Sequence, residues 1–173
     1  MSEQTAYSDY KLGETDELIQ LTSSDEHRGI SHVMADQANR SISIITHHLD
    51  DPIYNHREFI EALSELCRRS HHDTIRIILF DSSPAIKTGH RLIELSQRLS
   101  SFIKIRNPSS EHQDYHGALM VVDGTGIIYR NAADRYEGHA NFNSPRESRE
   151  KMKLFDEIWG HAIPDPELRR LHI

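Results

Sequence analysis

A chain of 173 residues with 36% hydrophobic and 27% charged residues has the size and balance of one globular domain with a core, and is neither disordered nor collagenous. Twenty Lys and Arg against 27 Asp and Glu leave a formal charge of seven negative, which repels polyanions and argues against general nucleic-acid binding. Cys67 is the only cysteine, which excludes an intrachain disulfide and cysteine-based zinc ribbons, and neither a membrane span nor a targeting segment is visible, so a cytoplasmic protein with no membrane association is expected.

Residues 1–14 are polar and aperiodic and read as a flexible leader before a single domain over 15–173. Glu17 to Thr22 alternates apolar and polar residues as a half-buried strand does, and Ser24 is placed to cap a helix running towards Ala38. Ser41 to Thr46 is a compact β-branched run that ends in His47, His48 and the turn-forming Asp50, Asp51 and Pro52. Phe59, Ile60, Leu63, Leu66 and Cys67 follow at helical spacing, which makes Cys67 a core residue and not a nucleophile.

Thr74 to Phe80 predicts another strand, Leu92, Ile93, Leu95 and Leu99 the inner face of another helix, and Phe102 to Ile105 a strand again. This alternation predicts an α/β fold with a mixed, mostly parallel sheet flanked by helices on both faces. From Gly117 the spacing changes. Two apolar runs are separated only by Asp123, Gly124 and Thr125, which suits an antiparallel hairpin. A last helix starts at Ser144 and Pro145 and presents Met152, Phe155, Ile158 and Trp159 on one stripe.

The hairpin carries the residues of interest. His116, then Ala118, then Asp123 reproduces the outer spacing of a motif written as His, any residue, Lys, four residues, Asp. Together with the strand and helix units upstream, this resembles the phospholipase D superfamily over about residues 17 to 160. Within it the chain looks like a bacterial branch of phospholipase D-like domains with a similarly eroded motif, some found beside acetyltransferase domains. The departures are specific. Ala118 replaces the Lys, and Arg130, Asn131 and Ala133 stand where Gly-Ser-any-Asn would follow.

The resemblance implies a chemistry that this chain is poorly equipped to perform. In active members a His attacks the phosphodiester, a partner His protonates the leaving oxygen, and Lys side chains neutralise phosphoryl charge. Alanine supplies no charge. His116 and Asp123 are therefore read as a remnant catalytic motif, and the expected role is a non-catalytic binding or interaction module, for which a phosphate-bearing ligand is the candidate. The alternative is a phosphodiesterase or nuclease with a rebuilt site that uses His116 as nucleophile across a homodimer. Members with one motif per chain build a shared site on a two-fold axis, so a homodimer is expected on either reading. Association with an acetyltransferase follows from the branch alone.

Arg130 has two readings: a substitute cation that holds phosphate bidentately, or a partner of an acidic neighbour such as Asp123 that closes the pocket. Asn131 is grouped with it as a candidate ligand contact. His47 is a third, because it ends the central strand at the edge where open α/β sheets usually bind ligands. His112, Asp114 and His116 offer metal-ligand types without an evident fourth ligand, so neither a metal nor a cofactor is expected.

Overall fold

The computed structural model of the protein describes residues 6–70 and 74–170. Its elements run β1 (Ile19–Leu21), α1 (Ser24–Asp36), β2 (Ile42–Thr46), α2 (Asp51–Tyr54), α3 (Arg57–Arg68), β3 (Ile75–Leu79), α4 (Ser83–Thr88), α5 (Arg91–Arg98) and β4 (Ile103–Asn107). They continue with β5 (Ala118–Val122), β6 (Gly126–Arg130), β7 (Gly138–Asn141), α6 (Pro145–His161), β8 (Ile163–Pro164) and α7 (Pro166–Arg170).

The strands form one sheet in the order β1-β7-β6-β5-β2-β3-β4-β8. Only the β2/β3 and β3/β4 pairs are parallel, while β1/β7, β7/β6, β6/β5, β5/β2 and β4/β8 are antiparallel. The expected mostly parallel sheet is thus corrected to a mixed, mostly antiparallel one. The reason lies in the connections. Helices α2 and α3, then α4 and α5, carry the chain back across the sheet and restart the next strand in the same direction. Between β4 and β5 there is only a short 3₁₀ turn, Ser110–His112, so the chain stays at the edge where β4 ended and β5 re-enters in the opposite sense beside β2.

Both faces are covered, as the all-buried pattern of β2 requires. On one face Ile42, Ile44, Ile75, Ile77, Met120 and Val122 pack against Ile30 and Met34 of α1, Phe59, Leu63 and Leu66 of α3, and Leu92 and Leu95 of α5. On the other, Ile45, Ile78, Leu119, Val121 and Ile127 pack against Phe155 and Ile158 of α6. Cys67 is buried in the first core, and burial pushes its thiol up to about 11, which keeps it protonated and unreactive.

Three local expectations change. The cap of α1 is Ser23 and not Ser24: its hydroxyl accepts the Glu26 N–H at 3.1 Å while Glu26 accepts the Ser23 N–H at 3.1 Å, a reciprocal box. β7 is a strand although its residues, Gly-His-Ala-Asn, carry no β-branched signal; it is held between β6 and β1. The part of the leader that is described packs on the domain. Tyr7 is buried, Tyr10 stacks on Phe142 at 5.4 Å, and Gln37 bonds both the Leu12 N–H and the Tyr10 carbonyl. A few apolar groups without periodicity suffice to anchor it; residues 1–5 lie outside the described residues. Among the described residues no helix is long and apolar enough to cross a membrane.

Candidate functional site

Antiparallel pairing brings three chain segments to one edge of the sheet. β2 leaves the sheet at Thr46, β5 enters at Ala118 opposite Arg130, and β6 leaves at Arg130. The residues just beyond these ends therefore meet. They line a cavity of about 600 Å³ whose walls are His47, His48, Asp50, His116, Asn131, Ala132, Ala133 and Asp134.

Each wall is fixed by local structure. After β2 the chain turns at Leu49, which has a φ of 60° and donates its N–H to Thr46 Oγ1 at 3.1 Å. The Leu49 carbonyl accepts from His90 Nε2 at 3.0 Å, and the His47 carbonyl accepts the Asp81 N–H at 2.8 Å. The His47 ring lies flat on Phe80, with centroids 4.1 Å apart and planes 5° apart. Its pKa is pushed down, first by burial and then by the nearby His48 and His116, so it is a neutral imidazole at neutral pH. His48 is exposed and reaches Asp81 at 3.6 Å.

His116 is exposed at the pocket, and its carbonyl is held by the Ala133 N–H at 2.7 Å, which ties the start of β5 to the loop after β6. Gly117 permits this approach, because a Cβ there would stand 2.6 Å from the Tyr115 hydroxyl and 3.2 Å from the Arg130 carbonyl. Asn131 is exposed on the same wall. His47, His116 and Asn131 are thus brought together.

Arg130 does not line the cavity. It is 3% exposed, donates to Asp50 Oδ2 at 2.6 Å, and gives its other guanidinium nitrogen to the carbonyls of Ala133 and Arg135. Of the two readings of Arg130, an acidic partner is present, but it is Asp50 and not Asp123. Asp50 is part of the wall and Arg130 lies behind it, with both terminal guanidinium nitrogens committed to protein acceptors. Ala118, directly across β5/β6 from Arg130, is 2% exposed beside a void of only about 10 Å³. Neighbouring His27 gives its ring N–H to the Tyr136 carbonyl, and burial holds its pKa down.

Asp123 lies at the other end of β5. Seven residues of strand put it on the order of 23 Å from His116, at about 3.3 Å per residue. There its carboxylate accepts the N–H groups of Asn39 at 2.8 Å, Arg40 at 2.7 Å and Ser41 at 3.0 Å, while its carbonyl accepts from Arg40 Nη2. Both Asp123 and Gly124 have positive φ, and Thr125 N–H closes onto the Val122 carbonyl, the mirror-image turn that suits a twisted hairpin. Asp123 therefore stands apart from His116 and braces the turn into β2.

Polar residues of β7 are structural as well. Asn141 bonds the Glu17 N–H, the Asn143 N–H and Asp16, and His139 pairs with Glu147. His48, Asp50 and Asp134 were missed as wall residues. The first two were within reach of sequence reasoning, since His-His-any-Asp directly follows the central strand.

Comparison with known proteins bears on the fold. A family profile described as "Domain of unknown function (DUF7931)" matches residues 23–171. No curated protein matches. Among solved structures the chain is similar to Nuc from Salmonella typhimurium, a phospholipase D family member, with 17% identity, a TM-score of 0.59, and 86% of this chain covering 99% of that one. It is similar to NucT from Helicobacter pylori at 11% identity and a TM-score of 0.55, covering 87% and 98%. It is also similar to TrmBL2, an archaeal chromatin protein described as binding DNA, at 13% identity and a TM-score of 0.62; 88% of this chain is covered, but it spans only 55% of that protein. The fold is phospholipase D-like.

Proposed function

The chain belongs to the DUF7931 family, and on that premise, with its phospholipase D-like fold, we propose that it is a binding module with an eroded phosphodiesterase centre, whose pocket takes a small phosphate-bearing ligand without hydrolysing it. The observation that carries this reading is the pair Ala118 and Arg130. The position of the motif lysine holds a buried alanine against a void of about 10 Å³, and the cation opposite is committed to Asp50 and two carbonyls. No Lys or Arg is among the described residues that line the cavity.

Charge developing on phosphoryl oxygens therefore has no fixed cation to meet, and losing one such donor typically costs on the order of 10² to 10³ in rate. Binding asks for less. The imidazoles of His47, His48 and His116 and the Asn131 amide supply hydrogen-bond donors, and a cavity of about 600 Å³ suits a small molecule. The negative charge of the whole chain disfavours a long polyanion, so the ligand is a small phosphate ester and not nucleic acid.

A second reading, a His116-dependent phosphodiesterase assembled across a homodimer, is favoured by one feature. His116 is exposed beside the cavity, where a partner's copy would be needed. One experiment separates the two. Inorganic phosphate titrated against the histidine resonances should bind, with an affinity at least about tenfold weaker in a His48→Ala, His116→Ala protein, while a chromogenic phosphodiester stays intact. Rapid turnover that disappears in His116→Ala would overturn the binding-module reading in favour of the enzyme.

A further inference from the structure

A second cluster lies outside the pocket and shares no residue with it. The 3₁₀ turn Ser110–His112, in the connection from β4 to β5, faces the C-terminal turn of α6. One donor atom each from Glu111, His112 and His161 lies within 4.8 Å of the other two. Glu157, one helical turn before His161, places its carboxylate 4.0 Å from His112 Nε2. The sequence places these groups some fifty residues apart, and only the fold joins them.

The outer contacts of the two imidazoles carry the argument further than proximity does. His161 Nδ1 lies 3.1 Å from the Glu157 carbonyl, which only accepts, so Nδ1–H is the donor in that bond and Nε2 is the nitrogen open to a metal. His112 Nδ1 lies 3.4 Å from Ser109 Oγ, which leaves Nε2, 4.0 Å from the Glu157 carboxylate, as the nitrogen open to a metal. A ring nitrogen held by a carbonyl or hydroxyl while the other faces a cluster of ligands is the arrangement that orients metal-binding histidines. Two imidazoles with centroids 5.7 Å apart would repel if both were protonated, whereas a shared cation uses both lone pairs.

We propose that Glu111, His112 and His161, with Glu157 as a fourth ligand, form a zinc site that clamps the β4–β5 connection to the end of α6. Two imidazole nitrogens with carboxylate oxygens match zinc, and an all-oxygen set for calcium or magnesium is absent from this cluster. Tetrahedral ligands at about 2.1 Å from zinc stand about 3.4 Å from one another, so the three donor atoms, all within 4.8 Å, have to draw together by at most about 1.4 Å, and Glu111 and His161 are exposed. The clamp holds the segment that leads into His116, and zinc bound only to the folded chain stabilises it.

The test is direct titration of the purified, chelator-treated protein with cobalt(II) and zinc chloride. Cobalt should give the visible absorption of a four-coordinate site, zinc should displace it, and zinc should raise the melting temperature. His112→Ala and His161→Ala should each weaken zinc binding by at least about tenfold, and circular dichroism checks that each variant is folded. His116→Ala should leave it unchanged. The proposal is overturned if wild type binds no more tightly than the two variants, or if the binding disappears in His116→Ala, which would assign the metal to the pocket instead.

Discussion

The two ends of β5 use polar residues in opposite ways. At the Asp123 end every carboxylate oxygen is taken up by backbone N–H groups of Asn39, Arg40 and Ser41, and the chain is locked into a tight turn. At the His116 end the polar groups are turned outwards, around a cavity of about 600 Å³, and Arg130 is held behind the wall by its ion pair with the wall residue Asp50. One strand therefore has a saturated end, which supports the fold, and an unsaturated end, which is available to a ligand. Two residues that match a motif by spacing need not share a role.

Substitutions can break this contrast, and the largest effect is expected at the wall of the open end. Arg130→Met strands Asp50 and the carbonyls of Ala133 and Arg135 inside a mostly buried site, and should cost about 3 kcal/mol, read as a lowered midpoint of urea unfolding. A loss below about 1 kcal/mol would mean that the pair is solvated and that Arg130 is free to serve the pocket.

Asp123→Ala tests the saturated end. It leaves three backbone N–H groups without their acceptor and puts a less tolerant residue at a φ of 55°, so a loss of about 2 kcal/mol is expected. Phosphate binding at the far end should survive in the folded protein. If Asp123→Ala removed binding while stability held, the separation of the two ends would be wrong.

Ala118→Lys tests the proposed loss of a motif lysine. A lysine here enters a buried position beside Arg130 with about 10 Å³ of free space, so it should destabilise by about 1 to 3 kcal/mol and restore no phosphodiester hydrolysis. Appearance of turnover in this variant would show that charge alone was lacking.

The smallest effect is a pH dependence confined to the open end and the helices behind it. His27, His47, His56 and His90 all have pKa values pushed down, chiefly by burial. The unfolded chain then binds more protons than the folded one below the ordinary imidazole pKa of about 6.5, so their contribution is present above that pH and is lost as pH falls through the lowered values. Urea midpoints measured at pH 8, 6.5 and 5.5 should fall in that order. His47→Gln should flatten the slope, and a midpoint that rises on acidification would contradict the burial of these rings.

Much of this was legible in the chain itself. Apolar periodicity marks β2 to β6 and helices α1, α3, α5 and α6, because burial on one face or two leaves a pattern whatever the topology. The same logic places His47 and His116 at strand ends, and from there at a sheet edge. The match of His116 and Asp123 to the outer spacing of the motif, with Ala118 at its lysine position, is likewise written in the residues.

What tertiary structure decided is who meets whom. Strand direction depends on the connections, and the loop from β4 to β5 makes most of the sheet antiparallel where alternation alone suggested a parallel one. β7 has no propensity signal and exists because β1 and β6 both lend it hydrogen-bond partners. The partner of Arg130 is Asp50, eighty residues away, and not the nearer Asp123, because antiparallel pairing puts the end of β2 beside the end of β6 while Asp123 is carried to the opposite edge. Local sequence fixes which side chains can be charged, buried or turned, since those are short-range properties. Pairing across the sheet is long-range, and it alone assembles three histidines at one edge and brings His112 to His161.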